Sequence, residues 1–507
     1  MDESSTSPGW RALLALFLTC ASIYLWTAPG RIQFPDDEIV FQTTERLYLD
    51  GTLAIPGIPK RTGEPRDRPD GTFGWALGVD GRRYGFFGHG LSIAALPAYA
   101  LADATFDHVP HTWAHAVRSD HFVFHARSPR GDWTRLVVSL TNCLLTAASA
   151  CALALWIAAL GLGRRAALLT GLAYALGTAA WAYSRTFLSE PLSALTLLCG
   201  AWLVARFHQT RAPWRLWAAG LVCGLSAHVH LLNVIALPCF VGYALLPLTP
   251  GERRRSRAAI VGALALGAVA LAALLVDQHL RFGSPFETGR YDHYSRYVAP
   301  LEGIVAQLVG PGRSVFVYAP AALVGLWGLR AARRRVPAAL WFGLSLLAAR
   351  LLFVACRSDW WGGWGVGPRY LAPAIPFMLV PLAALLADWP QRGRATRASA
   401  ALCLALATLL SGHLGTHSIF EWMWRLTLRE PVVFMDVSHW RAYASPIVGF
   451  LEINPDMLSI GARKLHALGH PSLWWLFLAI AAIGAVACAG LIRAVGRGDA
   501  RRPSRSP

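Results

Sequence analysis

Charge is scarce in this sequence, and acidic charge scarcest. Lys and Arg number 47 against 29 Asp and Glu, and charged residues make up 15% of 507 positions, where soluble domains carry about 25%. That shortage, with 55% apolar residues, excludes an ordinary soluble enzyme and predicts a polytopic membrane protein. Paired cysteine spacings are absent. Eight of the nine cysteines fall inside apolar spans and Cys356 ends one, so a disulfide framework or metal knuckle is not expected; each reads as a small packing residue. No small-x-small cleavage site follows the first apolar run, and Thr27-Ala28-Pro29-Gly30 fits one poorly, so that run is expected to stay as a membrane helix. No long internal repeat is evident. The net charge of +18 does not point to nucleic acid, because the basic residues cluster in short loops between apolar spans, where they set topology.

A membrane helix needs about 20 apolar residues. The sequence predicts about twelve, over 11–28, 135–160, 166–184, 188–206, 214–231, 233–248, 257–279, 314–331, 336–356, 369–388, 397–415 and 472–493. The expected fold class is an all-α polytopic membrane protein. Gly88–Ala104 is apolar but short and holds Pro97, and is expected to lie at the surface. Twelve spans put the basic loops 163–165, 206–215, 252–255, 330–335 and 391–397, and the basic tail, on one side. The positive-inside rule makes that side cytoplasmic, together with both termini. The opposite, extracytoplasmic face then holds a first outer loop, 29–134, with juxtamembrane helices. It also holds the turn 184–190 and the segments 228–233, 280–313, 357–368 and 416–471. Three regions follow: a membrane module over 1–415, an extracytoplasmic segment over 416–471, and a last span with a basic tail over 472–507.

Carboxylates near hydrocarbon are expensive and persist where they do chemistry or find a partner. Asp36-Asp37-Glu38 follow Pro35 directly after the first span. Two readings stand. Pro and acidic residues suit a first helical turn, and the same three carboxylates at a membrane surface suit a general base or an ion site. Glu190 lies on the second outer turn with Ser189 as a cap and Pro191 opening a helix; it reads as first-turn chemistry or as a carboxylate converging on Asp37. His228 and His230 sit where two spans meet, as packing groups or as ligands. Arg313 at the mouth of a span either snorkels or clamps a phosphate. The string 359–370, Asp-Trp-Trp-Gly-Gly-Trp-Gly-Val-Gly-Pro-Arg-Tyr, has more glycine and tryptophan than an aromatic belt requires. Two readings stand here as well: Trp361, Arg369 and Tyr370 are candidate substrate contacts, or the loop anchors the chain at the interface. His108, His111, His115, His121 and His125 lie in a polar stretch. His111 and His115 have i,i+4 spacing but no Glu accompanies them, which argues against a metal site.

The ordered set of motifs resembles the GT-C membrane glycosyltransferases, specifically the polyprenyl-phosphate-sugar-dependent group around the protein O-mannosyltransferases and lipid A aminoarabinose transferase. Asp37-Glu38 resembles the family's acidic motif in the first outer loop, and 49–53 and 84–91 its continuation toward a juxtamembrane helix. Ser189-Glu190-Pro191 is similar to the second-loop acidic position. Gly310–Ser314 and Gly363–Tyr370 resemble motifs of bacterial members. The similarity runs from about residue 10 to 390. Phe87-Gly88-His89 stands where the aminoarabinose branch has Glu-Lys-Pro. The His228/His230 pair replaces a basic residue, and 105–132 and 416–471 match nothing in the pattern.

The resemblance implies a hexosyl- or pentosyltransferase of the inner (plasma) membrane. It would move a sugar from a polyprenyl-phosphate carrier to an acceptor hydroxyl on a lipid, glycan or protein outside the cell. Asp37, with Glu38 and Asp36, would be catalytic. Glu190, His228, His230, Arg313, Trp361, Arg369 and Tyr370 would hold substrate or phosphate. The resemblance fixes no cofactor; a divalent ion, if one takes part, would draw on Asp36, Asp37, Glu190 and His228. The competing reading is a transporter or flippase for a lipid-linked substrate, which predicts repeated halves and mid-membrane charges.

Overall fold

A computed structural model describes residues 8–58, 74–109, 128–289, 296–452 and 474–496. The chain is an all-α polytopic membrane protein. Among the described residues, eight helices are long and apolar enough to cross a membrane: α1 (Trp10–Thr27), α5 (Pro129–Ala159), α7 (Glu190–Thr210), α10 (Arg257–Phe282), α12 (Pro337–Ala355), α13 (Arg369–Ala387), α14 (Arg394–Thr416) and α18 (Trp474–Gly496). The other four expected spans are shorter or broken. They are α6 (Arg164–Leu176), α8 (Pro213–Val229), α9 (Leu231–Leu245) and a run from Val315 to Arg335 that is interrupted at Ala319 and tightens to a 3₁₀ turn at Leu326–Gly328. His111, His115, His121 and His125, the basic tail and part of 416–471 lie outside the described residues.

The helices pack by shape. Gly220 and Gly224 of α8 meet Ala263 and Gly267 of α10 so closely that a Cβ on Gly220 would lie 2.1 Å from the Ala263 carbonyl oxygen. Small residues four apart let two backbones approach in this way. Deeper in, Trp156, Tyr243, Phe342 and Phe377 form an aromatic knot. The Trp156 indole donates to the Tyr243 hydroxyl at 3.1 Å, which satisfies the polar atom that burial of a tryptophan would otherwise strand. α18 packs on α1, where the Trp26 indole donates to the Phe477 carbonyl at 3.1 Å.

Between α1 and α5 lies α2 (Pro35–Asp50), with Pro35 opening it and Gly51, at φ 65°, ending it. A short hairpin follows, β1 (Trp75–Leu77) against β2 (Arg83–Gly85). Strand structure there was not expected from the sequence. α3 (Gly90–Ala94) and α4 (Leu96–Thr105) are each too short to cross. They lie on α2 through Ser92 Oγ to the Val40 carbonyl, 2.9 Å, and the Tyr99 hydroxyl to Glu45, 3.3 Å. α11 (Leu301–Val309) precedes the Arg313 loop. Beyond α14, α15 (Ile419–Arg429), α16 (Phe434–Trp440) and α17 (Pro446–Gly449) form a small helical cap. Trp422 of α15 is fully buried within it, donating to the Ala444 carbonyl.

Candidate active site

The starts of α2, α7 and α13 meet at one end of the bundle. α2 places three consecutive carboxylates in its first turn, pointing in different directions as 100° per residue requires. Glu38 turns toward α5. Its two oxygens accept from Arg135 at 2.9 and 2.6 Å, both side chains are buried, and the guanidinium lies 4.2 Å from the Phe41 ring centre. Asp36 turns toward α13, where Arg369 donates to it at 2.8 Å. The same guanidinium donates to Glu190 of α7 at 2.7 Å. One arginine thus joins carboxylates 333 and 179 positions away, a fork geometry that lysine cannot reproduce.

Asp37 lies between these pairs with zero exposure. One carboxyl oxygen accepts the Phe187 backbone N–H at 3.1 Å. The other, Oδ1, has no partner among the described residues, and neither does Glu190 Oε2. Burial pushes the Asp37 carboxyl up to about 8. The Phe187 N–H and Arg369 oppose that rise, and Asp36 and Glu190 add to it. A carboxyl poised near neutrality, with one oxygen uncommitted, is suited to proton transfer.

The 184–189 turn is held open at Phe187 by residues the sequence reading passed over. Asn142 donates to the carbonyls of Thr186 and Leu188 at 2.7 and 2.8 Å. Gln33 donates to the Arg185 carbonyl at 2.8 Å, and Arg185 Nε donates to that of Thr27 at 2.7 Å. Ser189 makes no capping hydrogen bond. Asn142 is a polar residue inside an apolar span, and that was the available signal; Gln33, in the first outer loop, carries none.

Arg369 is placed by an unusual helix. Residues 369–379 wind as 3₁₀ helix and contain Pro373 and Pro376. In such a helix the Tyr370 carbonyl would accept from residue 373, which as proline has no N–H. Arg350, buried in α12, donates there instead at 3.0 Å and also to Asn233 at 2.8 Å. Asn233 in turn donates to Ser193 of α7. Before Arg369 the chain turns on Gly362, Gly363 and Gly367, at φ 72°, 71° and 65°, a backbone that glycine alone adopts freely.

Arg313 serves this loop. It is 2% exposed and donates to the carbonyls of Gly363, Gly365 and Gly367 at 3.0, 2.8 and 3.2 Å. Its expected phosphate contact therefore competes with three existing bonds. The other expected contacts are dispersed. His228 Nε2 pairs with the Ala270 carbonyl of α10 at 2.8 Å. His230 Nδ1 accepts the Leu232 N–H at 3.1 Å, capping the turn that starts α9, and its ring lies 6.1 Å from that of Tyr370. Trp361 packs on Trp360 and His439. Asp36, Asp37, Glu190 and His228 do not form a ligand set: the cation between Asp36 and Glu190 is Arg369, and no group of three or more His, Cys, Asp or Glu among the described residues is arranged to hold a metal. A small cavity behind Glu190, walled by Thr146, Tyr183 and Ala372, has room for about one water, not for a sugar ring.

No protein-family model and no curated protein matches this chain. Among solved structures, ArnT from Cupriavidus metallidurans in the apo state aligns over 90% of this chain and 77% of its own, with 13% identity and a TM-score of 0.49. ArnT from the same organism bound to undecaprenyl phosphate aligns over 91% and 77%, with 14% identity and a TM-score of 0.48.

Proposed function

We propose that this chain is a membrane glycosyltransferase of the GT-C type, moving a hexosyl or pentosyl unit from a polyprenyl phosphate to an acceptor hydroxyl at the extracytoplasmic face of the inner membrane. The observation that carries this reading is Asp37: a fully buried carboxyl with one oxygen fixed by a backbone N–H, the other unpartnered, and a guanidinium fork beside it.

In the proposed step the ionised Asp37 Oδ1 accepts the proton of the acceptor hydroxyl. The hydroxyl oxygen bonds to the anomeric carbon on the face opposite the phosphate. The carbon–oxygen bond to the phosphate breaks, and the lipid phosphate leaves with the electron pair, so the anomeric centre inverts. General-base assistance of this kind contributes roughly 10²–10⁴-fold. Arg369 is the cation adjacent to the base and the candidate partner for the leaving anion. Its two carboxylates hold it ready without leaving a bare charge in a low-dielectric site. Asp36 and Glu190 thus orient the arginine, and Glu38 with Arg135 fixes the helix that carries Asp37.

The test compares cell-surface glycans and carrier lipids by mass spectrometry in cells with and without the protein. Loss of a sugar from the glycans, with its polyprenyl-phosphate form accumulating, is expected. An unchanged glycan profile with carrier lipid redistributed between leaflets would replace transfer by lipid translocation.

A further inference from the structure

His439, on α16, is a buried histidine that the proposed transfer step does not use. It is 1% exposed, yet neither Nδ1 nor Nε2 has a partner among the described residues. Its ring lies 4.8 Å from that of Trp360 and 5.4 Å from that of Trp361, tilted 36° to the latter. Buried polar atoms are nearly always paired, and stranding one costs about 1–3 kcal/mol. The helix is nevertheless seated carefully. Gly312 donates its N–H to the His439 carbonyl at 3.2 Å, and a Cβ on Gly312 would lie 1.8 Å from the Ser438 carbonyl oxygen. The seat leads straight to the candidate site, because Gly312 precedes Arg313, which holds the 363–367 carbonyls, and Arg369 contacts the Gly362 carbonyl at 3.4 Å.

We propose that His439, together with the half-buried face of Trp361, is a contact site for the neutral hydroxylated ring of a sugar, supplied to the candidate active site by the helical cap that follows α14. Its location within that site rests on the transfer reading; the contact itself does not. The chemistry selects the ligand class. A neutral imidazole has one donor and one acceptor, which matches a hydroxyl, able to play both parts. The phosphodiester of a lipid-linked sugar offers acceptors only and would leave one nitrogen stranded. Burial and the neighbouring Arg313 push the imidazole down to about 2, so it is neutral at any physiological pH. An indole face beside a few placed polar groups is a common build for small-molecule sites.

The experiment uses the full chain in lipid nanodiscs and the methyl glycosides of glucose, galactose, mannose and arabinose as probes, read by saturation-transfer NMR. His439→Phe keeps a ring on Trp360 and Trp361 but removes both nitrogens. His439→Gln restores one donor and one acceptor on a different frame. Gly312→Ala lifts α16 from its seat without touching the ring. At least one glycoside is expected to bind the wild-type chain, about tenfold more weakly in H439F and G312A as lost hydrogen bonds predict, with part of the loss recovered in H439Q. Binding of no glycoside by the wild type, or equal binding by H439F, overturns the proposal. A chain that binds glycosides through His439 but transfers no sugar sinks the transfer reading alone. A transferring chain indifferent to H439F sinks this one alone.

Discussion

Asp36, Asp37 and Glu38 are consecutive in sequence and differ in partner, and so in what their loss should do. Glu38 neutralises a buried arginine, so Glu38→Ala strands that charge, and breaking such a pair costs about 3–5 kcal/mol. A large fall in melting temperature is expected for the purified variant; an unchanged melting curve would remove Glu38 from the framework. Asp37 behaves oppositely. Its folded value of about 8 lies above the ordinary 3.8. Between those values the unfolded chain has released the proton while the folded one keeps it. Folding therefore takes up a proton, and this group's contribution to stability falls as pH rises from about 4 to about 8, then levels off. Melting curves across that range should flatten in Asp37→Asn relative to wild type. The same value predicts that kcat/KM rises with pH to a plateau above about 8, as the base form is populated. A profile already flat at pH 6 would exclude Asp37 as the titrating base.

At the scale of elements, the informative one is the 3₁₀ start of α13. Two prolines deny it α-helical bonds, and Arg350 supplies the donor that Pro373 lacks. Arg350 is thus a positioning residue for Arg369. Arg350→Met should lower kcat with little change in KM for the lipid donor, whereas Arg369→Lys, which loses the fork, should change both. Equal kinetic defects in the two variants would contradict that division of roles. The Gly362–Gly367 turn was legible as unusual, because four glycines among three tryptophans have few structural uses. Its clasp by Arg313 was not, since three backbone carbonyls leave no mark on side-chain chemistry.

At the scale of the molecule, apolar runs and basic loops carry the fold class, because hydrocarbon tolerates little besides helices. The helix inventory is less legible. The 315–335 run is apolar enough to read as one span but breaks at Ala319, ahead of Pro320, and tightens to 3₁₀ at Leu326–Gly328. Convergence of Asp36, Glu190 and Arg369 was partly legible, since each opens a helix at the same end of the bundle. The Glu38–Arg135 pair was missed because 97 positions separate its members and nothing local marks Arg135. His439 was missed because its segment matches no pattern.

The account stands on Asp37 as the base for sugar transfer. Its most direct test is a single-turnover assay of the purified chain with an isotopically labelled sugar on a polyprenyl phosphate, comparing wild type with Asp37→Asn. Transfer slowed roughly 10²–10⁴-fold in the variant, with donor binding retained, is the predicted result. Transfer at the wild-type rate by Asp37→Asn would contradict it.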